Sequence, residues 1–217
     1  MHLNLSADEV LATTRSVRKR LDFDRPVERE IVMECLDLAL QAPTGSNRQG
    51  WQWMFVEDQA KKDALAAIYR RSFELYRQLP GAAYADGDPR AQRREAVVDS
   101  ASYLSDNFQR APLLLIPCIE GRADGAAGGT ATSAGLWGSL LPAVWSFMLA
   151  LRERAMGSAW TTLHLVGDGE REAAEILGIP HEKYSQAGLF PIAYTVGTDF
   201  KLASRLPASE VSHWDTW

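Results

Sequence analysis

Apolar positions along the chain follow two different spacings. Ile31, Val32, Cys35, Leu36, Ala39 and Leu40 recur as one face of a helix, which Pro43 closes. Leu65, Ile68, Phe73 and Tyr76 predict a helix over 59–79, and a more polar helix is expected over 91–109. "SADE", from Ser6 to Glu9, has capping-box spacing and predicts a short helix to about residue 14. "DGEREAAEILGIP" predicts a helix ended by Gly178 and Pro180. In "WQWMFVED" the bulky Trp51, Trp53 and Phe55 alternate as in a strand. "APLLLIPCIE" is apolar almost throughout, the pattern of a strand covered on both faces, and "AGLFPIAYTVG" reads as the last core strand. "MGSAWTT" reads as a turn into a short strand. "LWGSLLPAVWSFMLALRERA", 136–155, is apolar all round and predicts a helix buried on every side, with Pro142 in its first turn or kinking it. The glycine-rich 121–135 segment is expected to be a surface loop, and "PGAAYADGDP" a break.

Helices and strands do not alternate regularly, which favours an α+β layered domain over a doubly wound sheet. No repeat or internal boundary divides the chain, so residues 1–217 read as one domain. Past residue 197 the pattern dissolves, yet Leu202, Leu206, Trp214 and Trp217 are apolar. Such a C-terminal extension is expected to pack on a partner subunit, making a homodimer. No apolar run approaches the roughly 20 residues of a membrane span. The N-terminus lacks the apolar core of an export signal, and Cys35 and Cys118 sit apart in apolar settings, so the expected compartment is the cytoplasm with both thiols reduced.

Charge changes this picture at one place. The chain carries 23 Lys+Arg against 28 Asp+Glu, a net charge of −5, yet "TTRSVRKRLDF" gathers Arg15, Arg18, Lys19 and Arg20. Nucleic acid, membrane, plain solvent and a small phosphate ligand are the candidate reasons. The net acidity and the lack of interleaved aromatics speak against nucleic acid. GxGxxG, GxxxxGK[ST] and GxSxG are all absent, and His2, His164, His181 and His213 have no zinc-site spacing. His164 reads as a satisfied histidine at a strand end. There remain the basic cluster, the polar loop "APTGSNRQ" and the late "ASRLP" with Arg205. Distant segments that both bring arginine suit a phosphate-bearing ligand, because guanidinium grips phosphate bidentately.

"RSVRKR", "APTGSNRQGWQW", "MGSAWTT" and "SRLP", in this order from about residue 13 to 207, resemble the nitroreductase family of FMN-dependent oxidoreductases. The resemblance implies a mostly antiparallel central sheet packed between helices, and an intertwined homodimer whose two FMN sites are lined by both chains. It implies a ping-pong cycle in which NAD(P)H reduces the flavin and a nitroaromatic, quinone or related small molecule reoxidises it. Neither nucleic acid nor membrane is an expected partner. Reductive dehalogenation on the same fold and non-catalytic FMN binding are the alternatives. Carried over by position, Arg15 and Ser16 would hold the phosphate and ribityl region, and Arg205 would be a second phosphate ligand. Arg18 would reach the pyrimidine edge as the electrostatic stabiliser, with no side chain as obligatory acid or base. Pro43, Thr44, Ser46 and Asn47 would lie along the flavin, and the backbone of Thr162, Leu163 and His164 would approach its N5. Lys19 and Arg20 are read as solvated. Tyr84, the 121–135 loop and Trp137 are read as loop and core aromatic rather than as a lid. Two departures stand out: the family's frequent Q-P-W is Gln49-Gly50-Trp51, and Ala203 replaces a frequent lysine, leaving Lys201 as its substitute. No mid-chain flavin contact is assignable in the helix around Tyr69 to Tyr76.

Overall fold

The computed structural model describes the whole chain except residues 82, 85–87, 89, 90 and 125–128. Its centre is an antiparallel sheet of β1 (Leu21–Asp22), β2 (Trp51–Val56), β3 (Leu113–Glu120), β4 (Met156–Ser158), β5 (Tyr184–Gln186) and β6 (Phe190–Thr195). The main path runs β1-β6-β3-β2, with β4 added to β6 and β5 to β3. Around it lie α1 (Ala7–Thr13), α2 (Arg29–Ala39), α3 (Gln59–Gln78), α4 (Arg94–Asn107), α5 (Gly129–Gly138), α6 (Leu141–Glu153) and α7 (Gly169–Leu177).

The all-apolar reading of β3 has a direct structural meaning. Leu113, Leu115 and Ile119 point into one core, which they share with Val32 and Leu36 of α2 and Val144 and Phe147 of α6. Leu114, Ile116 and Cys118 point into a second core, with Leu65 and Ile68 of α3 and Leu104 of α4. Alternate residues of one strand thus hold a helical layer on each face, and a charge at any of them would be stranded. Cys35 and Cys118 lie in different cores, and burial pushes their thiols up to about 11 and 12. Both are inert at neutral pH.

Local signals hold where the chemistry is local. Ser6 and Glu9 form the full capping box of α1, and Gly178 takes the left-handed conformation, φ 70°, that closes α7. The long apolar segment departs from expectation. Its first part and the end of the glycine-rich segment form α5, because the glycines cluster before Thr130 and the residues after it are mostly Ala, Ser, Thr and Leu. A turn at Ser139–Leu140 then separates α5 from α6, with Pro142 in the first turn of α6, where its missing N–H costs nothing. Nor is α6 buried all round: Trp145 is 37% exposed. Taken end to end, Gly129–Glu153 has the length and mean hydropathy, 1.5, of a membrane span, although no run that long was expected. The turn interrupts it, and α6 serves as a core helix. "MGSAWTT" also differs slightly, since the strand comes first, at Met156–Ser158. The break at 80–89 and the start of the 121–135 segment fall partly outside the described residues. The C-terminal extension has no helix or strand apart from one 3-10 turn, and Leu202, Trp214 and Trp217 are exposed.

Candidate functional site

After α1 the basic cluster passes through a bridge at Ser16, and Arg18, Lys19 and Arg20 then form a turn in which Leu21 N–H donates to the Arg18 carbonyl (3.2 Å). Val17 donates its N–H to the Ser158 carbonyl, and Ser16 forms a parallel bridge with Ser158 of β4. This close approach depends on Gly157, because a Cβ there would come within 2.9 Å of Val17 Cγ2. Val17 is buried, while Ser16 is exposed and Arg18 partly exposed.

Beside them opens a cavity of about 750 Å³. Arg15, Ser16, Arg18, Lys19 and Arg20 line one side; Asp199, Phe200, Lys201, Ala203 and Arg205 of the C-terminal segment line another; Arg93, Val97 and Ser100 close it at α4. Among the described residues its lining holds seven cations, Arg15, Arg18, Lys19, Arg20, Arg93, Lys201 and Arg205, against one acid, Asp199. Burial first, then the positive charges of Arg205, Arg93 and Arg20, pull the Arg15 guanidinium below its ordinary value. Arg15 donates to the Lys201 carbonyl, which ties the two ends of the chain together. Arg205 is exposed, and its side chain reaches the adjacent Ser204 carbonyl. Arg18 lies 3.5 Å from Ser100 Oγ. Lys19 and Arg20 have carboxylate partners, Asp99 and Asp199, while the other five form no salt bridge among the described residues; these repel one another, and a multiply charged anion removes that repulsion.

Lys19 pairs with Asp99 on the surface, as expected of a solvated lysine. Arg20 departs from that reading. Its guanidinium holds the C-terminal segment through the Val196 carbonyl (2.8 Å) and Asp199 (2.7 Å), and lies 4.2 Å from the centre of the Phe200 ring.

The other expected site residues lie elsewhere in the same chain. Pro43, Thr44, Ser46 and Asn47 belong to an exposed loop outside the cavity lining. The loop is well defined: Gly45 N–H donates to Ser139 Oγ (2.9 Å), and Gln49 N–H to Thr44 Oγ1 (3.2 Å). Ser46, Asn47 and Gln49 hold left-handed φ values of 52°, 53° and 49°. Such strain persists only where surrounding contacts over-determine it. Thr162, Leu163 and His164 follow the bridge from Thr161 to Leu189, just past β4. Thr162 is exposed, but the His164 side chain is fully buried, with Nε2 3.0 Å from Gln186 Oε1. Burial pushes the imidazole down to about 4, so this side chain is neutral and structural, and only its backbone can face a ligand.

Three residues around the cavity escape sequence reasoning. Arg93 comes from the 3-10 turn leading into α4; buried Arg152 comes from α6; Phe200 sits between arginines. No local pattern marks them, since each matters through what the fold puts beside it. Tyr69, by contrast, packs against Phe73 and Phe108 in the core, and burial pushes its phenol up to about 12. Trp137 is half-buried and lines a second cleft of about 530 Å³ between α5 and Arg122–Asp124.

A model of the Nitroreductase family matches residues 11–194, taking in the basic cluster, the Pro43 loop and the sheet up to Tyr194 of β6. The chain belongs to this family. Solved structures of the nitroreductase fold resemble it from end to end. The FMN- and NADPH-dependent nitroreductase NfnB from Sphigopyxis sp. strain HMH is 23% identical, with a TM-score of 0.66 over 98% of this chain and 100% of that one. A nitroreductase-like family protein from Bacillus cereus is 19% identical, with a TM-score of 0.67 over 99% and 98%. Iodotyrosine deiodinase bound to FMN and 3-iodo-L-tyrosine is 22% identical, with a TM-score of 0.66 over 94% and 96%. At these identities the likeness carries the nitroreductase fold alone. No curated protein matches the chain. The family match ends at Tyr194, so Phe200, Lys201 and Arg205 lie beyond it and enter the site on geometry.

Proposed function

We propose that this nitroreductase-family protein is an FMN-dependent oxidoreductase. It passes electrons from NAD(P)H to nitroaromatic, quinone or related conjugated acceptors by a ping-pong mechanism, as a cytoplasmic homodimer. The observation that supports this best is the convergence of Arg15 and Arg205, from opposite ends of the chain, on one cavity with a single acid among the described residues of its lining. That donor set fits a phosphate monoester, the group that distinguishes FMN from riboflavin.

In this reading Arg15 and Arg205 hold the phosphate, Lys201 supplies the charge that Ala203 does not, and the Ser16 hydroxyl meets the ribityl chain. Arg18 places a fixed positive charge at the pyrimidine edge, where it favours the negative charge added on reduction. The backbone of Thr162, Leu163 and His164 approaches the ring from the end of β4. Pro43, Thr44, Ser46 and Asn47 do not line the cavity of their own chain, so a second copy contributes that loop. The exposed Met33 and Leu38 of α2 and Trp145 of α6 give an apolar surface for such pairing, with the C-terminal extension packing across it. When bound, FMN would supply the two-electron redox chemistry between the nicotinamide and the acceptor. The protein positions and polarises; solvent protonates the product, and the neutral, buried His164 side chain takes no part.

An absorbance spectrum before and after anaerobic NADPH tests the reading. The purified protein is expected to be yellow, to bleach with NADPH and to regain colour with a nitroaromatic or quinone. Bound FMN that neither NADH nor NADPH bleaches would mean non-catalytic binding, and reoxidation by halogenated phenols alone would mean reductive dehalogenation. Protein that stays colourless after incubation with FMN and desalting overturns the proposal.

A further inference from the structure

Arg152, near the end of α6, is 6% exposed. It forms no salt bridge among the described residues. The neighbouring Glu153 carboxylate instead accepts from the backbone N–H groups of Asn4 and Leu5. Arg152 Nε donates to Thr13 Oγ1 at 3.1 Å and Nη2 to the Thr198 carbonyl at 2.9 Å, while Nη1 is buried with no hydrogen-bond partner. Burying a guanidinium without a carboxylate is costly, and Arg15 and Arg20 add repulsion at close range. Something must offset that cost.

The geometry supplies a reason. Thr13 lies two residues before Arg15; Thr198 lies shortly before Phe200, Lys201 and Arg205. A single buried guanidinium therefore fastens two of the three chain segments that deliver cations to the cavity, the third being the turn that carries Arg93. Phe200 completes the link, with Arg20, Arg152 and Arg15 at 4.2, 4.9 and 5.8 Å from its ring centre. We propose that Arg152 is a positioning residue for the anion cavity. It sets the distance between the N-terminal and C-terminal arms through Thr13, Thr198 and Phe200, and from behind the Phe200 ring its unpaired charge adds to the attraction for an anion in the cavity. The proposal rests on the FMN reading, since it takes that anion to be the flavin phosphate.

The readout is the ratio of the riboflavin and FMN dissociation constants, measured by titrating flavin-free protein. This ratio isolates the phosphate, and partial loss of folded protein affects both ligands alike. Arg152→Met keeps the apolar stem while removing the charge and both hydrogen bonds. The preference for FMN is expected to fall about tenfold, the scale of one charge-assisted contact. Arg152→Lys keeps a charge but cannot reproduce the planar fork, and about a threefold fall is expected. It carries the test if Arg152→Met does not fold. A variant with a lower melting temperature but the wild-type ratio overturns the proposal, since a purely structural arginine would give that result, and it leaves the flavin reading intact. Wild-type protein that binds riboflavin as tightly as FMN would remove the phosphate reading itself, and the proposal with it.

Discussion

Two arginine-centred clusters lie on this fold, and they are built on opposite principles. At the ends of β3 and β5, Arg122 is satisfied on every side. Asp124 accepts from Nε and Nη2 at 2.9 and 2.8 Å, Glu170 accepts from Nη2 at 2.8 Å, and the His181 and Tyr184 carbonyls accept from Nη1 at 3.1 and 2.9 Å. The Asp124 hydrogen bonds above all hold the Arg122 guanidinium well above its ordinary value, and Glu170 adds to them. Around the 750 Å³ cavity, Arg15 and Arg152 are both pulled the other way, by burial first and then by neighbouring cations: Arg205, Arg93 and Arg20 act on Arg15, and Arg15 and Arg20 on Arg152. The same side chain thus serves two ends. With carboxylates around it, arginine knits segments together; without them, it is charge held in readiness for a partner. Arg122 and Arg152 are both largely buried, and counter-charge is what separates their settings.

The sharpest way to break this contrast is to damage the satisfied cluster. Glu170 also accepts the Gln186 backbone N–H at 2.8 Å, so Glu170→Gln leaves Arg122 short of a charge and disturbs the bond to β5. Breaking a largely buried pair from one side is expected to cost about 3 kcal/mol, read as a lower urea midpoint with unchanged slope. FMN affinity of the folded fraction should not move. A loss under about 0.5 kcal/mol would show that the Arg122 cluster behaves like an ordinary surface pair.

The double variant Arg15→Ala, Arg205→Ala should behave in reverse. Removing two charge-assisted contacts to one phosphate is expected to weaken FMN binding at least about 100-fold, and the protein should leave a desalting column nearly colourless. Stability should change by less than about 0.5 kcal/mol, because repulsion among cations is lost along with the contacts. A stability loss matching that of Glu170→Gln, with flavin retained, would place the cavity among structural clusters and end the comparison.

How much of this could be read from the sequence follows from the range of each signal. The capping box at Ser6 and Glu9, the left-handed cap at Gly178 and the two-sided strand at Leu113–Glu120 involve near neighbours or a strict alternation, so they were legible. The turn at Ser139–Leu140 was not, because apolar residues on both sides of a break look the same as a continuous helix. Arg15, Arg18 and Arg205 could be named from motif resemblance, and the fold brings all three to one cavity. Arg93 and Arg152 could not. Arg152 ends the apolar helix where a solvated arginine is ordinary, and its meaning comes from Thr13 and Thr198, residues far away in the chain. Counter-charge, the property separating the two clusters, is set by tertiary neighbours and has no local pattern.

The smallest expected effect concerns the edge of the satisfied cluster. Gln186 Nε2 donates to the Glu170 carbonyl at 2.8 Å, which turns Gln186 Oε1 towards His164 Nε2. His164 must therefore carry its proton on Nε2, and Nδ1 is left buried and unpartnered. Its pKa is about 4 when folded against an ordinary 6.5. Below pH 6.5 the unfolded chain takes up the proton while the folded one does not. Stability must therefore fall as pH drops from 6.5 towards 4 and level off, for this group, below 4. The contribution lost by pH 5 is roughly 2 kcal/mol. It should appear as a slope in wild-type protein that is shallower in His164→Gln over the same window, with unfolding measured in urea at each pH. Asp199 in the cavity lining is held below the ordinary carboxylate range, first by its hydrogen bond to Arg20, so its own loss of stability begins only at the acid end of this window and is common to wild type and variant. Identical slopes in wild type and variant would mean that His164 opens to water in the native state, and the acid sensitivity would then have to come from elsewhere in the fold.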